Sequence, residues 1–153
     1  MSLSDRMAVF MDGRIVQTGT PEEVFSRPAT VEVAAFLGNP PMNVLPASLA
    51  GGCAVIGGAS IPVAQLASLG EREVTLGIRP SEIVLADDGL PATVTLCEVL
   101  GEDVILDLDI GGLLMRMKSP GRRRVAEGTT VHVRIDPARV HVFERTSGLR
   151  IET

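Results

Sequence analysis

From residue 43 onward the chain is built of short apolar runs set between Gly, Pro and Asp. Many of these runs alternate, as in Val104-Ile105-Leu106-Asp107-Leu108-Asp109-Ile110, which is the period of a strand with one face in a core. The pattern predicts strands over 44–49, 53–56, 60–63, 73–79, 82–86, 91–100, 103–110, 113–118, 130–135 and 140–143. Gly101-Glu102-Asp103 and Gly111-Gly112 read as tight turns between strands. Asp136-Pro137-Ala138-Arg139 reads as a turn or a single helical turn, and 64–69 as a short helix. Many short strands with little helix mean a small barrel or sandwich.

Before residue 43 the texture differs. Asp12-Gly13 lies between two apolar runs, a hairpin signal, because a type I′ turn needs positive φ at both central residues. Thr20-Pro21-Glu22-Glu23 carries an N-cap, a first-position proline and a capping-box carboxylate. The helix it opens must stop before Pro28. Thr30 is placed to cap a second helix over 31–37, with Gly38 just past its end. Asn39-Pro40-Pro41 predicts a stiff, extended connector, and with it a boundary between residues 1–38 and 39–153.

Charge narrows the function classes. The net charge is −5, there is no Trp or Tyr, and aromatics are 3% of the chain. A nucleic-acid domain needs a basic face and stacking platforms, so no nucleic-acid partner is expected. No apolar run reaches the roughly 18–20 residues that span a bilayer. Asp5 and Arg6 interrupt the only apolar start, so no signal peptide is read, and the chain reads as beginning inside an element. Cys53 and Cys97 are isolated and read as reduced thiols in strands, consistent with a reducing cytosol.

Chemistry-bearing motifs are sparse. The one lysine, Lys118, stands in Gly112–Ser119, which approaches a phosphate loop but has Met117 where Gly is required. The segment reads as a strand, so no catalytic residue is assigned. His132 and His141 fall in alternating strands and have no ligand-spaced partner, which predicts polar positions on half-buried strands and no metal site. Glu102, Asp103, Asp107 and Asp109 read as a solvated strand face, and Arg122-Arg123-Arg124 as a solvated loop or a surface for an acidic partner.

Several segments together resemble one family. Ser4 to Phe25, with its Asp12-Gly13-Arg14-Ile15-Val16-Gln17-Thr18-Gly19-Thr20-Pro21-Glu22-Glu23-Val24 core, resembles the end of the nucleotide-binding domain of a bacterial ABC-importer ATPase. Phe36 to Asn43 looks like that family's hinge into a regulatory domain. Gly77-Ile78-Arg79-Pro80-Ser81-Glu82 is similar to the GIRPE box of TOBE domains in sugar and glycerol-3-phosphate importers, with Ser81 where the acidic residue usually stands. Glu98-Val99-Leu100-Gly101, Asp136 to Phe143 and the tail Gly148-Leu149-Arg150-Ile151 look like further boxes of the same domain.

The resemblance implies a mainly β, OB-fold-like TOBE barrel (39–153) preceded by a hairpin-and-helix remnant of the ATPase domain (1–38). It implies a regulatory and dimerisation role in a sugar or sugar-phosphate importer of the maltose type. This chain itself would hold no cofactor, the parent using ATP and Mg. Partners would be a second copy, membrane permease subunits, and a regulatory protein or small anion. The place would be cytoplasmic, peripheral to the inner membrane. Arg79, held by the restriction that Pro80 puts on its predecessor, is the first choice for a contact residue. It is suited to an anion or a partner carboxylate, or to a loop carbonyl of its own domain. Pro80, Glu82, Glu98 and Arg139 are the further choices. The alternative is a small-oxyanion module like the molybdate-type β-domains.

Overall fold

The structure is a computed structural model that describes residues 5–152. Ser4, the first residue of the resemblance, lies outside the described residues, as do Met1 to Leu3 and Thr153.

Strands β1 (Met7–Met11) and β2 (Arg14–Gly19) form an antiparallel hairpin. Its turn residues, Asp12 and Gly13, sit at φ 52° and 74°, the positive pair that a type I′ turn demands. Helix α1 (Pro21–Ser26) follows directly. Thr20 Oγ1 accepts from Glu23 N at 3.1 Å, and Glu23 Oε2 accepts from Thr20 N at 3.0 Å, a complete capping box. Thr30 Oγ1 likewise accepts from Val33 N to open α2 (Val31–Phe36). Val9, Val24 and Val33 make a small core under the hairpin and helices. Removing the cap by Thr20→Ala is expected to cost about 1 kcal/mol, read as a shift of the denaturant midpoint.

The rest is β-structure in two five-stranded antiparallel sheets. Strands β3 (Asn43–Ala50), β4 (Cys53–Ile56), β5 (Ala59–Pro62), β6 (Arg72–Ile78) and β12 (His141–Glu144) form one sheet, in the order β12-β6-β3-β4-β5. Strands β7 (Ile83–Ala86), β8 (Leu90–Leu100), β9 (Asp103–Ile110), β10 (Leu113–Pro120) and β11 (Thr130–Ile135) form the other, in the order β10-β9-β8-β11-β7. Every predicted strand is present within a residue or two of its predicted ends. The two sheets share one core, with Leu76 and Ile78 of β6 meeting residues such as Leu106, Leu108 and Ile110 of β9 and Val133 of β11. Two features tie the sheets at their edges. Asn43 Nδ2 donates to Ile78 O and Arg116 O, at 3.1 and 2.8 Å. The Gly57-Gly58 and Gly111-Gly112 turns meet backbone to backbone, Gly58 N donating to Gly111 O at 2.8 Å. A Cβ on Gly57 would stand 2.4 Å from that oxygen, so only glycine allows the approach.

Residues 64–69 form the short helix that the sequence predicts, of the 3-10 type. Two expectations are corrected. The connector after Gly38 is not extended: Gly38 has φ 99° and bridges to Pro41, a tight reversal, and the Asn39–Pro40 peptide is cis. Asp107 does not lie on a solvated face. It is buried opposite Arg116 in the β9–β10 register, with Oδ1 accepting from Arg116 Nε at 2.8 Å. That pairing offsets the desolvation of the carboxylate and raises the arginine's pKa. Register, which alternation alone does not reveal, decided the outcome.

Candidate functional site: the joint around Arg79

Arg79 follows β6 at φ −65° and ψ 138°, the extended conformation that a following proline imposes. Pro80 is buried at the first position of a 3-10 turn, Pro80–Glu82. The arginine is only 6% exposed. Its side chain points across the chain to the two N-terminal helices. Nη2 donates to Phe25 O at 2.6 Å and Nη1 to Leu37 O at 2.9 Å, and the guanidinium lies 3.8 Å from the centroid of the Phe25 ring.

This geometry has a local cause. A helix leaves its last carbonyls without intrahelical partners, and those carbonyls carry the negative end of its dipole. Neither α1 nor α2 has a basic residue in its last turn. Arg79, distant in sequence, supplies the cation to both ends. The contact is to helix-end carbonyls of the 1–38 segment rather than to a loop carbonyl of residues 39–153. Burial lowers its pKa by desolvation, yet a guanidinium remains protonated near neutrality.

The chain's tail completes the joint. Val31 N donates to Gly148 O at 2.8 Å and Arg150 N to Ala29 O at 2.9 Å. Phe143 of β12 is wholly buried against Ala34 of α2 and Met42. Between α1, the Pro80–Glu82 turn, the Pro137–Arg139 turn and the tail lies a cavity of about 480 Å³. Glu82 and Arg139 face each other across it, 3.9 Å apart, with Asp136 Oδ1 accepting from Ala138 N to hold the arginine's turn. The structure thus brings together Arg79, Pro80, Glu82 and Arg139. It leaves Glu98 elsewhere, exposed on β8 beside Arg116 and Lys118. Lys118 itself lies in β10, its Nζ donating to Asn39 O at 3.1 Å. His132 is exposed on β11. Among the described residues, no group of three or more His, Cys, Asp or Glu converges on a metal position.

Sequence reading missed Arg27, His141, Arg150 and Glu152, which also line this cavity. His141 and Arg150 stand in motif segments, but nothing in those segments encodes the cavity's long-range pairings, of which Arg27 with Glu152 spans 125 positions. His141 Nδ1 stands 2.8 Å from Arg150 Nη1 and accepts from it. Desolvation, then the charges of Arg150 and Arg79, push the His141 pKa down to about 4. The unfolded chain therefore takes up a proton near pH 6.5 that the folded chain refuses until about pH 4. Stability is expected to fall as pH drops through that window. His141→Asn, which keeps an acceptor for Arg150, is expected to flatten that fall in melts run from pH 7 to 4.

Two family matches cover most of this architecture. The MalK OB fold domain matches residues 38–83 and the TOBE domain matches residues 76–143, so Arg79 lies in both. The sn-glycerol-3-phosphate import ATP-binding protein UgpC of Ruegeria sp. (strain TM1040) is 37% identical over 156 residues, covering 99% of this chain and 43% of the relative. The trehalose/maltose import ATP-binding protein MalK of Thermococcus litoralis is 34% identical, covering 99% of this chain and 45% of the relative. The chain thus spans less than half the length of these relatives. Among solved structures, the cytoplasmic molybdate-binding protein ModG is similar at a TM-score of 0.47 and 16% identity, over 65% of this chain and 94% of that one.

Proposed function

We propose, from the premise that this chain belongs to the MalK OB fold and TOBE domain family of ABC-importer ATP-binding proteins, that it is the regulatory and dimerisation part of such a subunit. The observation that carries the reading is the alignment of 99% of the chain with ATP-binding proteins named for glycerol-3-phosphate and trehalose/maltose import. The cargo would accordingly be a sugar or a sugar phosphate. ATP, Mg and the hydrolytic residues would belong to the rest of the parent subunit. Membrane permease subunits would be its partners, at the cytoplasmic face of the inner membrane. Among the described residues no helix is long and apolar enough to cross a membrane.

Two structural features support this division of labour. The hairpin presents Phe10 and Ile15 side by side, 63% and 56% exposed, apolar surface of the kind that another domain covers. The β-body joins that hairpin-and-helix segment through a buried, charge-assisted contact at Arg79, suited to carry position from one part to the other. Coupling of regulation to ATP turnover requires differential contacts in two states, and this joint is where such contacts would change. The chain is expected to sediment as a homodimer at high micromolar concentration. Monomer alone under those conditions would contradict the dimerisation role.

A further inference from the structure

The cavity beside Arg79 is charged in an unusual way for this chain. Four guanidinium groups line it, from Arg27, Arg79, Arg139 and Arg150, against the two carboxylates of Glu82 and Glu152. The local balance is positive in a protein whose net charge is −5. Arg79 is held by carbonyls and an aromatic ring, and among the described residues no carboxylate pairs with it. Among the same residues the Arg139 guanidinium has one carboxylate contact, the long 3.9 Å one with Glu82. Arg150 Nε is buried and, among the described residues, has no hydrogen-bond acceptor. Glu152 Oε1 lies 3.4 Å from that nitrogen without the geometry of a hydrogen bond, while its Oε2 meets Arg27.

The Glu152 carboxylate therefore bridges Arg27 and Arg150 imperfectly, from a half-open position near the end of the chain. A tetrahedral oxyanion carries more acceptor oxygens and more charge than a carboxylate, and a guanidinium fork matches it well. We infer that this cavity is a binding site for a small phosphate-type dianion, which displaces Glu152 and takes hydrogen bonds from Arg150 Nε, Arg139 and Arg27. The ligand lies between α1, the Pro137–Arg139 turn and the tail, so its occupancy tightens the same joint that Arg79 clamps. As an input to regulation this rests on the function proposed above. Its chemistry does not, because the site lies within one chain.

Isothermal titration of the full chain with inorganic phosphate, sulfate and glycerol 3-phosphate tests it. One saturable site per chain is expected. Glu152→Gln removes the competing charge and is expected to tighten binding about tenfold, whereas Arg150→Gln and Arg139→Gln are expected to weaken it about tenfold or more. A stronger response to glycerol 3-phosphate identifies a phosphate ester as ligand, and a response led by inorganic phosphate identifies the free anion. Both uphold the site. The exposed Arg139 keeps the test decisive even where Arg150→Gln disturbs folding. Absence of saturable binding to all three anions, or an affinity indifferent to Glu152→Gln and Arg139→Gln, overturns the inference. The titration reads the site whether or not the chain dimerises, so this proposal and the dimerisation role fail separately.

Discussion

Replacing Arg79 by alanine is expected to lower the stability of the chain by about 3 kcal/mol, measured by denaturant unfolding. The substitution removes two charge-assisted hydrogen bonds and the stacking on Phe25. Each bond to a charged donor contributes roughly 1.5–3 kcal/mol, and the carbonyls left behind lose their partner in a water-poor seam. Loss of the cation also removes the guanidinium that bonds the end carbonyls of α1 and α2, whose own last turns have no basic residue. Lysine is not expected to rescue the site. A single ammonium lacks the planar fork that reaches two carbonyls from two helices while lying on a ring. The destabilised region is expected to be local, with protease cleavage appearing first between residues 26 and 39, while the sheets persist.

The second large effect is expected at Phe143. It is fully buried on β12, packed against Ala34 and Met42 and close to the space above Gly77, where a Cβ would stand 3.1 Å from its ring. Phe143→Ala leaves a cavity between the β-body and α2 and is expected to cost about 3–5 kcal/mol. Phe143→Leu keeps most of the volume and is expected to cost about 1 kcal/mol, since shape rather than bulk is then lost. Unlike the Arg79 change, Phe143→Ala is expected to loosen β12 and its pairing with β6 as well as the helices. Thermal melts of the two alanine variants, compared with exchange protection in β6, separate these patterns.

The strands were legible because their cause is local. Alternation and Gly-rich turns fix strand ends within the few residues that carry them, and the Asp12-Gly13 turn and the Thr20 capping box are equally self-contained. The resemblance motifs single out Arg79, Pro80, Glu82 and Arg139; the structure sets Arg79, Glu82 and Arg139 around one cavity, with Pro80 buried next to Arg79. What escaped reading was long-range. Arg79 lies 42 and 54 positions from its two carbonyl partners. The Arg27–Glu152 contact spans 125 positions. No periodicity encodes such pairings. Asp107 was misplaced for a related reason: its face depended on Arg116 standing opposite in the β9–β10 ladder. Glu98 shared a motif with the joint's family but not its location, because β8 carries it to the outer face of the second sheet.

The joint is the structural core of the functional reading, since it ties the hairpin-and-helix segment to the β-body. Native-state hydrogen exchange on the wild-type chain and on Arg79→Ala tests it most directly. Amides of α1 and α2 are expected to be protected in the wild type, and to lose that protection in the variant while β3, β6 and β9 keep theirs. Rapid exchange throughout residues 20–37 in the wild type, with the β-body fully protected, would contradict it.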